Sequence, residues 1–271
     1  MWSRLSHIVS SKLRGGSTGV CLADSSTMYF AKSKSSLMTS SYCSRLPVEV
    51  ILMGFRRREG LALGSAEGVS ELLADRVVPL YHQRYWWSCS YAAIQMVLVA
   101  VANRGEAHEA ALRSRHLVDE DGDAASIRDL QAALVAAWGD GLDPDGQDFI
   151  VGRSPKPLVG RRGRLASLGA PEAKVLFGHA GIEASTFSYE GVDAASDVLH
   201  DVVEYYSVPN RMPGLLVCGD HVRVVVGALD APHIRQLVFI DPNWSEPRFE
   251  TLDQGGLESK AGEFEMMFLD D

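Results

Sequence analysis

The periodicity of the chain changes once, at Pro213, and that change constrains its fold more than any other feature. Upstream, apolar residues recur at intervals of three and four. Ala92, Ala93, Met96, Val97 and Ala100 mark a helix from Ser88 to Val101, and Asn103-Arg-Gly105 supplies its stop. A second helix is expected over Glu106–Leu117. Ser126 caps a third over Ile127–Trp138, with Asp129 in its first turn. Ala194–Tyr205 reads as another, with Val198, Leu199, Val202 and Val203 on one side. Downstream of Pro213 the period is that of strands: Leu215–Cys218, His221–Ala228 and Gln236–Ile240. Helices first and an antiparallel sheet after define an α+β layout. The stretch Gly139–Pro171, rich in Gly, Pro, Asp and Arg, reads as an irregular crossover with one strand, Asp148–Val151.

At 271 residues, 46% of them apolar and 23% charged, the chain has the balance of a protein with a real core. Its formal charge of -9 opposes a nucleic-acid partner, which needs a basic face. The basic runs Arg56–Arg58 and Arg161–Arg164 are short and lie beside glycines. No stretch of about 18 apolar residues occurs, so no membrane span is expected. Nor does a compact apolar block open the chain as a secretory signal would. Residues 1–48 instead carry Arg4, Lys12, Arg14, Lys32, Lys34 and Arg45 against one acid, Asp24, among many serines. Transit peptides, leaders of injected bacterial effectors and poorly ordered tails share that composition. The expected location is therefore cytoplasmic, or outside the cell by a route without a Sec-type signal. Two parts are expected: a partly disordered extension over residues 1–75, serving as leader or pro-segment, and the main domain over 76–271. Within the extension, Val48–Met53 reads as a strand and Ser65–Ala74 as a helix.

The four cysteines, Cys21, Cys43, Cys89 and Cys218, have neither disulfide-framework nor metal-ligand spacing. No metal or organic cofactor is expected. Cys218 reads as a small buried strand residue. Cys89 stands where the polar, aromatic loop Tyr81–Ser88 gives way to a helix, and a helix N-terminus favours the thiolate. Gln83, six residues upstream, offers a side-chain amide that, with the Cys89 N–H, can receive the charge of an acyl-transfer oxyanion. His221 opens a valine-rich strand and can take the thiol proton, then return it to a leaving group. Asp241 closes the next strand, and a hairpin would bring it alongside His221 to hold the ring. Asn243 is the second candidate for that role, whereas Asp220 would point to the opposite face. Each residue alone has a plainer reading: a structural cysteine, an exposed glutamine, an Asp-Pro turn. Their combination points to nucleophilic catalysis.

Taken together, Gln83-x5-Cys89-x2-Ala92-x3-Met96-Val-Leu, His221-x5-Gly227 and Phe239-Ile-Asp241-Pro242 resemble the papain-like cysteine peptidases of bacterial type. The outline is similar to bacteriocin leader-processing peptidases and to papain-like effector proteases of plant-associated bacteria. Tyr85-Trp-Trp-Ser-Cys89 is also similar to the Tyr-x-Trp-x-Cys pattern of eukaryotic guanylyl-cyclase-domain proteins. The resemblance spans about residues 77–245 and implies a papain-like fold. In such a fold a helical part, with the nucleophile at a helix start, packs on a C-terminal antiparallel sheet carrying His and Asp. It implies Cys89 as nucleophile, His221 as general base, Asp241 as orienting acid and Gln83 as oxyanion donor, acting on a peptide or protein. Ser90 departs from the glycine, and Ser88 from the aspartate, of the leader-processing enzymes. Two further classes use the same parts. One is acyl transfer or deamidation, as in phytochelatin-synthase-like transferases. The other is a catalytically silent binding module, which would lack one of the four roles. The sequence carries no signature of an oligomeric state.

Overall fold

The computed structural model describes residues 70–73, 78–85, 87–147, 168–231, 234–245, 249–260 and 262–270. The expected strands Val48–Met53 and Asp148–Val151, and Cys21 and Cys43, lie outside these residues. The core begins with helix α1 (Cys89–Ala102), all of whose residues are buried. A helix apolar around its whole circumference belongs inside the molecule. Here α2 (Glu106–Ser114), α3 (Ile127–Gly139), α4 (Ala170–His179) and a sheet contribute to the core that surrounds it. Helix α2 ends three residues earlier than its periodicity suggests, where His116 adopts a φ of 57°. Ser126 caps α3 as expected, its Oγ accepting the Asp129 N–H at 3.3 Å. Helix α4 corrects the reading of an irregular chain up to Pro171. That proline lies in the first helical turn, where a missing N–H leaves no bond unmade.

Among the described residues seven strands form one antiparallel sheet. They are β1 (Ser70–Leu73), β2 (Ala184–Glu190), β3 (Gly214–Cys218), β4 (His221–Ala231), β5 (Ile234–Ile240), β6 (Glu250–Leu252) and β7 (Glu263–Leu269). Helix α5 (Ala194–Tyr206) follows β2 and α6 (Gln254–Glu258) follows β6. The order is β2-β7-β3-β4-β5-β6, with β1 paired to β4. The helix expected over Ser65–Ala74 is thus corrected at Ser70–Leu73, which is a strand. Strand β3 pairs with residues 221–225 of β4, and β1 with residues 227–230 beyond it. Backbone groups of β4 left open past the end of β3 capture the segment, and a short isolated helix has little stability to oppose them.

Both faces of the sheet are covered. Val222, Val224 and Val226 of β4 join the core around α1, whereas Val225 and Ala228 join a second core beneath α5. Burial on two sides explains why β4 reads as a nearly continuous apolar run. No described helix is long and apolar enough to cross a membrane. The buried Tyr206 hydroxyl of α5 donates to Val225 O at 2.7 Å and accepts the Gly214 N–H at 3.2 Å, tying α5 to β3 and β4. Tyr206→Phe should therefore lower unfolding stability by about 1–3 kcal/mol, since it strands two buried backbone groups. Urea denaturation of the full chain measures this, with no change expected in secondary structure.

Candidate active site

Cys89 is the first residue of α1, and Ser88 is its N-cap. The Ser88 hydroxyl does not cap the helix. It donates to Tyr85 O at 2.9 Å and accepts the Tyr85 N–H at 3.1 Å, closing the turn that delivers the cysteine. The Ser90 hydroxyl accepts the Leu168 N–H at 3.1 Å and ties the start of α1 to the chain entering α4. The two serines that depart from the leader-processing pattern therefore each hold backbone in place. Tyr85 stacks on Trp87 at 5.3 Å, and Trp87 meets the buried Tyr91 edge-on at 6.0 Å, so aromatic packing stiffens the same loop.

The protonated Cys89 Sγ lies 3.9 Å from Asp220 O, and His221 is near enough to act on the ionisation of the thiol. His221 Nε2 is 2.7 Å from Asp241 Oδ1. With Nε2 engaged there, Nδ1 is the ring nitrogen left to face the sulfur. Strand register explains the approach of Asp241. Val224 pairs with Ile240 across the β4–β5 hairpin, so the next positions outward, 223 and 241, stand opposite each other. His221, two residues from Arg223 along β4, shares its face. Asp220 presents its carbonyl to the thiol, and its side chain is exposed.

Gln83 is joined to the turn after Asp241. Its N–H donates to Pro242 O at 2.7 Å, and Nε2 donates to Asn243 Oδ1 at 3.4 Å. His82 Nδ1–H donates to Trp244 O at 2.9 Å. Asn243 does not orient the histidine. Its backbone N–H donates to Asp241 Oδ1 at 2.9 Å, so it supports the aspartate instead. The sequence reading passed over Arg223, whose Nε forms an ion pair with Asp241 Oδ2 at 3.2 Å. The available signal was its place among valines, two residues past His221.

These contacts set the charges. Burial opposes ionisation of Cys89, but the His221 hydrogen bond and the N–H groups of Val222 and Ser90 outweigh it, and the thiol pKa falls below its usual value. Burial likewise opposes the charge on His221, yet the bonds to Asp241 and Cys89 prevail and raise its pKa to about 9. Asp241 is held below the usual carboxylate range: burial works against it, and His221, the Asn243 N–H and Arg223 more than offset that. Both shifts move the pair toward the thiolate–imidazolium form.

Among the described residues the close donor group His200, Asp201 and Glu204 is exposed or half-exposed on α5, and Asp201 already accepts the Tyr189 hydroxyl at 2.7 Å. A helix that starts at a cysteine, packed on an antiparallel sheet that carries histidine and aspartate, has the layout of the papain-like fold. Residues 80–266 match Peptidase family C78, and the chain belongs to that family of cysteine peptidases. The structure is similar to that of UfSP from C. elegans, with a TM-score of 0.52 and 12% identity, over 88% of this chain and 39% of that one. At that identity the likeness shows the fold, and this chain spans well under half of UfSP. No curated protein matches the chain. The match is to Peptidase family C78 and does not identify the bacterial subfamilies whose outline the motifs resemble.

The two described cysteines should differ in reactivity, because burial raises the pKa of Cys218 while that of Cys89 is lowered. Iodoacetamide at neutral pH should alkylate Cys89 at least about tenfold faster than Cys218, as followed by peptide mass spectrometry. Equal rates would refute this electrostatic assignment.

Proposed function

We propose that the chain hydrolyses amide bonds in peptide or protein substrates through a Cys89–His221–Asp241 triad, with Gln83 as oxyanion donor. One observation carries the reading: His221 is held by Asp241 at 2.7 Å and acts on Cys89, whose pKa it lowers. The Cys89 thiolate attacks the amide carbonyl, and the oxyanion is received by the Cys89 N–H and the Gln83 side-chain amide. His221 then gives its proton to the departing amine. Water, deprotonated by the same ring, cleaves the acyl-enzyme and restores the thiol. Asp241 keeps the ring oriented and compensates its charge without itself becoming protonated. Residues 1–75 stand as an extension to the catalytic domain, with Ser70–Leu73 adding β1 to its sheet.

A quenched-fluorescent peptide library supplies the assay. Cys89→Ala and His221→Ala should abolish turnover. Asp241→Asn should lower kcat by about 10⁴-fold, and Gln83→Ala by about 10²–10³-fold. Full activity in His221→Ala would remove the triad, and an unchanged kcat in Gln83→Ala would remove that residue from the oxyanion site.

The pH profile follows from the direction of the shifts. The active ion pair forms as pH rises through the lowered thiol pKa. It is lost as His221 gives up its proton near about 9. A plot of kcat/KM against pH should be bell-shaped, with its alkaline limb near about 9. An alkaline limb near the ordinary histidine value would show that Asp241 does not act on the ring in solution.

A further inference from the structure

Both oxygens of the Asp241 carboxylate have partners. Oδ1 accepts from His221 Nε2 at 2.7 Å and from the Asn243 N–H at 2.9 Å, while Oδ2 forms an ion pair with Arg223 Nε at 3.2 Å without a hydrogen bond. Arg223 is 9% exposed, and its guanidinium lies 5.6 Å from the centre of the Phe239 ring. Phe239 is two residues before Asp241 on β5, so the ring and the carboxylate share a face and both confront Arg223. Packing alone does not call for a charge here, since the alternate β4 positions hold valine and a buried guanidinium needs a partner to offset its desolvation. A charge attracted to Oδ2 while Oδ1 is hydrogen-bonded restricts how the carboxylate can turn.

We infer that Arg223 is a positioning residue for the reaction, holding Oδ2 of Asp241 so that Oδ1 stays on His221 Nε2. This rests on the triad reading given above. Arg223 acts through Asp241. The ionisable groups around the pair are few and come from every side. His221 stands on the same strand, Cys89 on α1, Cys218 on β3 and Asp220 in the β3–β4 turn, with Lys260 after α6 acting on Cys218. A purely structural ion pair would stitch β4 to β5 without affecting the histidine.

The full chain is alkylated with iodoacetamide over about pH 5–10, and modification of Cys89 is followed by mass spectrometry. The wild type should show an upper inflection near about 9, where His221 deprotonates. In Asp241→Asn that inflection should fall; if it does not, the triad reading fails whatever Arg223 does. In Arg223→Met it should fall by about one pH unit, because a carboxylate free to turn no longer supports the imidazolium. The sign is diagnostic. Loss of the guanidinium charge alone would move the inflection upward, since that charge repels the imidazolium. If Asp241→Asn lowers the inflection while Arg223→Met raises it or leaves it in place, the positioning role is overturned and the triad stands. Arg223→Lys, which keeps a charge but loses the planar fork, should fall between wild type and Arg223→Met. Circular dichroism establishes that each variant is folded. If Arg223→Met is not, Arg223→Lys decides alone: a lowered inflection supports the role, and a wild-type value overturns it.

Discussion

Burial of helix α1 around its entire circumference is the constraint on which the rest of the structure depends. Every residue from Cys89 to Ala102 is withdrawn from solvent, so the helix has one place to lie, between the other helices and the face of the sheet lined by Val222, Val224 and Val226. Its N-terminus then falls at the end of the sheet, where the tight β3–β4 turn leads into His221. The start of α1 and the start of β4 come together because a helix and a strand with no sequence proximity share a core.

Asp241 is the second organising element, for an electrostatic reason. A half-buried imidazole would ordinarily lose its proton more easily than in water, yet the Asp241 and Cys89 contacts carry His221 the other way, to about 9. That reversal demands an ionised and well-directed carboxylate. The protein supplies one by placing Arg223, His221 and the Asn243 N–H around it. The hydrogen bonds from Gln83 N–H to Pro242 O and from His82 to Trp244 O bind the loop before Cys89 to the same turn. One short segment, 241–244, therefore couples the loop before the cysteine to the strand of the histidine.

Much of this was legible in the chain, and the reasons are local. Val222–Val226 declares a strand, Ser126 with Asp129 declares a helix start, and Cys89 after a polar loop declares a thiol at a helix terminus. The hairpin that brings Asp241 to His221 follows from two strands separated by a short turn. What was missed is non-local. Glu263–Leu269, silent as a sequence, lies between β2 and β3 in the sheet, and Ser70–Leu73 becomes a strand because β4 has open backbone groups beyond β3. Pro171 looked like the end of an irregular stretch, although its position in the first turn of α4 costs that helix nothing.

The sequence by itself determined the chemical cast and the type of each main element: a cysteine at a helix start, a histidine opening one strand and an aspartate closing the next. Those are properties of residue type and period, which the chain carries at every point. The tertiary structure alone decided that Arg223 grips the aspartate, that Asn243 supports it through backbone, and that Ser88 and Ser90 anchor chain instead of capping. Each of these depends on which residues stand opposite one another across strands or loops. Register of that kind is set by long-range packing, and no local run of residues contains it.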